Sequence, residues 1–212
     1  MNQKQKINMK KILLFLTALC FVSITNAQYL YNDFDANQNV DFSGWPNVPV
    51  IVGNPDASGI NVSANVAQFD RTDWAQWDHA YATLTGKIDF STGTTFSVKV
   101  YSPIACDVVF KLEDKTNGGI FVERLLSISN ANEWVQLDFD FSGEASDTYD
   151  KLVIFFDFAT FNPNTFYFDD VEGPEFDDGV EPVATLELPI TFDVDTAAYD
   201  LIDFGGNLSE II

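Results

Sequence analysis

Basic residues, histidine and cysteine are all scarce in this 212-residue chain, and each scarcity excludes a class of function. The chain carries 11 Lys and Arg against 32 Asp and Glu, a formal net charge of −21 at pH 7. Such a field repels nucleic acid and anionic membrane surfaces, while it favours solubility and divalent cations. His79 is the single histidine, so a His-rich zinc site is excluded by count. No Gly-x-Ser-x-Gly elbow accompanies it to build a nucleophilic triad. The two cysteines are Cys20 and Cys106. Cys20 falls in a leader segment, which leaves Cys106 without an intrachain partner, and the fold must rest on a core or a metal. No segment keeps a helical period, and the one long apolar run, Ile12 to Val22, is too short to span a membrane.

That run is the centre of a secretory signal peptide over residues 1–27. Lys4, Lys6, Lys10 and Lys11 precede it, and Thr25-Asn26-Ala27 forms a small-residue cleavage site before Gln28. Leu19 stands where a lipoprotein signal wants a small residue before Cys20, which argues against lipidation. The expected location is therefore secreted, extracellular or cell-surface, with no membrane insertion and no nucleic-acid partner. Four of the 11 bases leave with the leader, whereas all 32 acids stay.

What the chain has in quantity is aromatic residues, 20 Phe among them, set in short alternating segments. Phe96, Val98 and Val100 alternate with polar residues; so do Val108, Phe110 and Leu112, and then Val135, Leu137, Phe139 and Phe141. A period of two with one apolar face marks half-buried antiparallel strands. Leu152 to Phe158 is apolar on both faces apart from Asp157, which suits a central strand. Asn54-Pro55-Asp56, Ser91-Thr92-Gly93, Ser142-Gly143 and Asn162-Pro163-Asn164 supply turns, and Asn117-Gly118-Gly119 signals a hairpin. Nine or ten strands between Tyr29 and Val171 predict an all-β fold, an antiparallel β-sandwich of jelly-roll type, over residues 28–172.

The opening of this unit returns near the end. Phe34-Asp35 followed by Asp41-Phe42-Ser43-Gly44 reappears as Phe192-Asp193 followed by Asp203-Phe204-Gly205-Gly206. Residues 188–212 thus read as the truncated start of a second copy, after an acidic, Pro- and Gly-rich linker over 173–187. The spacing Glu175-x-Asp177-x-x-x-Glu181 within the linker is too long, and too close to Gly and Pro, to form a catalytic strand.

Three segments carry a family resemblance: the opening Phe34-Asp35, Asn132-Glu133-Trp134-Val135-Gln136-Leu137-Asp138-Phe139, and the closing Phe166-Tyr167-Phe168-Asp169-Asp170-Val171. In these the chain resembles the jelly-roll carbohydrate-binding modules with a galactose-binding-like fold, the group of families 4, 9, 16 and 22. More narrowly it is similar to modules repeated in secreted polysaccharide-degrading proteins of Bacteroidetes. The resemblance implies a polysaccharide partner, a β-glucan or another plant or algal polysaccharide. It also implies a structural Ca²⁺ held by Asp35 and Asp169, and Asp with backbone carbonyls are hard oxygen ligands that suit this ion. The competing reading is that Asp169-Asp170 caps a strand end.

The candidate ligand face is the segment Ala75 to Leu84, read as a strand. Alternation puts Trp77, His79, Tyr81 and Thr83 on one side, with Trp74 and Arg71 just upstream and Lys99 and Tyr101 on the polar face of another strand. Aromatic rings in such a row can stack on sugar rings while His79 supplies a polar contact; the bland alternative is that Trp74, Trp77 and Tyr81 pack. Trp45, in a Gly-Trp-Pro turn, reads as packing ahead of a rim contact; Trp134 alternates with polar residues as an outward ring would, but the resemblance implies that it packs. Two rivals to a non-catalytic binding module stay open. The chain is either the ancillary front of a glycoside hydrolase or polysaccharide lyase with a catalytic domain elsewhere in the full-length chain, or a structural or adhesion module that binds no sugar.

Overall fold

The computed structural model describes residues 28–177. The segments expected as a signal peptide (1–27), as the rest of the linker beyond residue 177 and as a second copy (188–212) lie outside the described residues. Eleven strands and no helix occupy the described part. They are β1 (Tyr29–Asn32), β2 (Phe42–Trp45), β3 (Val50–Gly53), β4 (Asn65–Asp70), β5 (His79–Thr83) and β6 (Thr95–Tyr101). After them come β7 (Cys106–Asp114), β8 (Asn117–Ile128), β9 (Trp134–Asp140), β10 (Lys151–Phe156) and β11 (Thr165–Gly173). Two antiparallel sheets result. Sheet A runs β3-β4-β11-β6-β9, with β1 also on β11, and sheet B runs β2-β5-β10-β7-β8. The all-β sandwich expected from the alternation is what forms.

The core lies between the sheets because the inward-facing positions of both are apolar. Sheet B contributes Ala80, Ala82, Leu152, Ile154, Phe156, Phe110 and Leu112; sheet A contributes Phe69, Phe96, Val98, Phe139, Phe166 and Phe168, all buried. Phe156 stacks on Phe166 at 5.5 Å, and Phe168 meets Phe34 edge-on at 5.0 Å. β10 is the centre of sheet B, as its two-faced apolar run requires. Its inward residues join the main core, while Val153 and Phe155 form a second buried cluster with Val109 on the outer side of the sheet.

Three local expectations are corrected. First, the β7–β8 turn is Lys115-Thr116, one step before Asn117-Gly118-Gly119. The Asp114 carboxylate accepts the backbone N–H groups of Thr116 and Asn117 at 2.7 and 3.2 Å and closes the loop there. The register shifts between Glu113 and Asp114, and the two glycines lie within β8. Secondly, the strand predicted over Ala75 to Leu84 is shorter and begins at His79. The preceding residues form a loop, its start closed by Asp78, whose Oδ2 accepts the Thr72 backbone N–H and, at 2.9 Å, its hydroxyl.

The third correction concerns the linker boundary at residue 173. Gly173 is the last residue of β11 and faces Tyr29 of β1. Past it, the Tyr31 hydroxyl donates to Pro174 O at 2.6 Å, Asp89 N donates to Glu175 O, and Phe176 bridges to Ile88. The Phe176 ring stacks against the buried Tyr31 ring at 5.7 Å. Residues 173–177 belong to the sandwich, because Phe176 covers a core edge that Tyr29 and Tyr31 leave open.

Candidate functional site: the outer face of sheet B

Cross-strand register lays out the outer face of sheet B as rows. Trp45, His79, Phe155, Val109 and Leu125 are successive partners across all five strands. Ser43, Tyr81, Val153, Lys111 and Glu123 make the row beside it. Partners in antiparallel register share a face. Four interstrand gaps make the apolar row about 19 Å long. Two loops raise a wall over its β5–β10 part: Trp77 from the loop before β5 and Phe158 from the loop after β10, their rings 5.1 Å apart. Together with Trp45, His79, Lys111, Glu123 and Phe155 they line a recess of about 390 Å³.

The tryptophans around this recess face solvent: Trp45 is 47% exposed, Trp74 61% and Trp77 44%. Trp45 meets Trp74 edge-on at 5.8 Å and lies 6.2 Å from the His79 ring. His79 and Tyr81, 5.8 Å apart, are half-buried neighbours on β5. Of the sequence-predicted residues, then, Trp77 and His79 line the recess, and Trp74 and Tyr81 border it. Trp77 reaches it from a loop rather than from the strand.

Trp45 is a correction: it lines the recess instead of packing, because β2 is the edge strand of sheet B and leaves its ring uncovered. Phe155, Phe158, Lys111 and Glu123 were missed as well. The alternation in β7 offered the signal for Lys111, which neighbours inward Phe110. The continuous apolar run of β10 hid the outward Phe155. Lys99 and Tyr101 belong to sheet A and take no part. Trp134 packs as expected: its indole N–H donates to Asn54 Oδ1 at 3.2 Å and Asp56 O at 2.9 Å.

Electrostatically the face is balanced within an acidic chain. Lys111 Nζ and Lys151 Nζ lie 2.8 and 3.0 Å from the two oxygens of Glu113. Burial raises the Glu113 carboxyl, but the hydrogen bonds from both lysines outweigh it and hold the group below its usual range. Lys151 sits 5.1 Å above the Tyr81 ring and Lys111 4.2 Å above Phe121. Burial also pulls the His79 pKa below its usual value. Its Nδ1 is 2.8 Å from Trp77 O, which can only accept, so Nδ1 carries the proton and Nε2 is left as an acceptor.

Behind the wall stands Arg71, its side chain fully buried. Its Nη1 donates to Asp157 O at 2.8 Å and to Thr160 Oγ1 at 2.7 Å, and pairs with Asp157 Oδ2 at 3.3 Å. Nη2 donates to Thr160 O at 2.7 Å and Gln76 O at 3.4 Å. One guanidinium thus ties the loop carrying Phe158 to the loop carrying Trp74 and Trp77. Asp157 and Ala159 adopt left-handed φ values of 50° and 61°, which end β10 and turn the chain toward Arg71.

The proposed calcium ligands are engaged otherwise. Asp35 accepts Ala64 N at 3.1 Å, Asn65 N at 3.0 Å and Asn65 Nδ2 at 2.7 Å. Asp169, fully buried, accepts Asn61 Nδ2 at 2.9 Å and the Asp170 N–H at 2.9 Å. Burial pushes its carboxyl up to about 6. Both acids pin the 61–65 segment through N–H donors, which a cation would have to displace. Among the described residues no group of three or more His, Cys, Asp or Glu is placed to hold a metal. Calcium needs six to eight oxygens, and this donor set does not fit it.

No family model and no curated protein matches the chain. Solved structures are similar in fold. An arabinose-bound GH51 α-L-arabinofuranosidase superposes with a TM-score of 0.53 at 16% identity, covering 69% of this chain and 26% of the enzyme. The chain thus spans about a quarter of that protein's length. The family 11 carbohydrate-binding module of the cellulosomal cellulase Lic26A-Cel5E of Clostridium thermocellum gives 0.47 at 16% identity, covering 70% of this chain and 95% of the module. The C-terminal family 22 carbohydrate-binding module of Clostridium thermocellum Xyn10B gives 0.45 at 17% identity, covering 73% and 98%.

Proposed function

We propose that this chain is a secreted, non-catalytic carbohydrate-binding module whose polysaccharide ligand lies along the outer face of sheet B. The observation that carries the reading is the set of exposed indoles of Trp45, Trp74 and Trp77 around one recess beside His79 and Tyr81. Large aromatic side chains left in solvent together around a concavity are the arrangement that stacks on the apolar faces of sugar rings. Nε2 of a neutral His79 is an acceptor for a sugar hydroxyl. Lys111 and Lys151 are balanced by Glu113 and Glu123 on the same face, which suits an uncharged glycan such as a β-glucan. The sugar units would sit at the recess, about 390 Å³, and not along the whole row, whose Phe155 and Val109 are buried. Attachment to a catalytic domain in a longer chain, or to further copies, would add avidity to a shallow site.

The test is retention on immobilised or soluble β-glucan, run with thermal melting on the same protein. Trp77→Ala is expected to weaken binding about tenfold, equivalent to about 1.4 kcal/mol. Its melting temperature should stay near wild type, since the ring is half in solvent. Unchanged retention combined with a large loss of stability would make Trp77 a packing residue and remove the proposal's main support.

A further inference from the structure

Residues 42–69 carry one charged side chain, Asp56, in a chain that is 20% charged. This segment builds β2, β3 and all of β4 except its last residue, Asp70. It also supplies half of the large apolar side chains that the described residues expose: Trp45, Val48, Val50, Ile51, Ile60 and Val62. β3 is the end strand of sheet A. Successive strand side chains point to opposite faces, yet Val50 is 51% and Ile51 50% exposed, so both faces of this strand are open. Two of the other sheet ends carry charge, β9 with Asp138 and Asp140 and β8 with Glu123 and Arg124, while β2 at the other end of sheet B is a short strand as uncharged as β3. Charge on an edge strand is the usual protection against pairing with another chain, and β3 has none.

We propose that the β3 edge is a self-association surface on which two copies of this chain pair β3 against β3, antiparallel about a twofold axis. Charge selects the occupant. Two bodies of net charge −21 repel over most of their surfaces, and twofold pairing sets a strand against its own reversed sequence. A charge in the strand would then face a like charge; Val48-Pro49-Val50-Ile51-Val52 presents none. Pro49 and Pro55 lack an N–H and confine the pairing to the few residues between them. An isologous contact of this kind closes at two copies instead of growing into fibres. The association is short, hence weak, and it strengthens as salt screens the general repulsion.

Sedimentation velocity of the full chain over a concentration series, at low and high salt, tests this. The mass should rise toward that of two copies with concentration, more so at high salt. Val50→Lys should weaken association at least tenfold with an unchanged melting temperature, and Ile51→Lys on the other face of the strand should do the same. Ile120→Lys, at an exposed site on β8, should associate as wild type does. A wild type that stays monomeric under every condition overturns the proposal. So does association that survives both β3 variants, or that only the β8 variant removes.

Discussion

Replacing Gly173 by alanine is expected to cost the fold about 1–3 kcal/mol, the usual penalty for over-packing a core. For a domain of this size that lowers the melting temperature by roughly 2–12 °C. The added methyl would stand 2.4 Å from the Phe96 ring, which is fully buried between Tyr31, Phe110 and Phe141 and has nowhere to move. Gly93→Ala is the control, since a methyl there meets nothing within 4 Å. Thermal melting of the pair distinguishes a core position from a linker. If Gly173→Ala melts like Gly93→Ala, the sandwich ends before residue 173 and the docking of Phe176 is not part of it.

A larger loss is expected at Arg71. Arg71→Met keeps much of the side-chain volume but leaves Asp157 without its cationic partner, and the carbonyls of Asp157, Thr160 and Gln76 without their shared donor. Breaking a buried ion pair from one side costs about 3–5 kcal/mol, or roughly 6–20 °C in melting temperature here. Denaturant unfolding followed by circular dichroism measures it. The same guanidinium holds the loops of Trp77 and Phe158 together, so glycan retention should fall even at temperatures where the variant is fully folded. A variant that melts within a degree or two of wild type would show that the Arg71 network contributes little.

The parts of this fold that were legible in the sequence are those where one local pattern decides the outcome. Alternation in Phe96–Val100, Val108–Leu112 and Val135–Phe141 marked β6, β7 and β9, because a strand packed on one face has to alternate. The two-faced run of Leu152 to Phe158 marked the centre of a sheet, occupied by β10 up to Phe156. Less was visible where distant residues decide. Nothing local to Gly173-Pro174-Glu175-Phe176 signals docking; it depends on Tyr31 and Ile88, far back in the chain. Asp78 draws Thr72 toward it, so the residues before His79 leave the strand, yet alternation alone would have continued it. The candidate site divides in the same way. Trp74, Trp77, His79 and Tyr81 are close in sequence and were found together. Trp45 and Phe158 reach the recess only through the pairing of β2 with β5 and through the loop that Arg71 holds.

The most direct test of a glycan-binding face on sheet B uses the four tryptophans as reporters, two at the recess, one on its border and one on the opposite sheet. Indole N–H resonances followed by NMR during titration with a β-glucan oligosaccharide should shift for Trp45 and Trp77, which line the recess. Trp134 should not respond, because its N–H is bonded to Asn54 and Asp56 on the far side of the sandwich. Shifts at Trp134 alone, or no indole shift with any polysaccharide tried, would contradict the account.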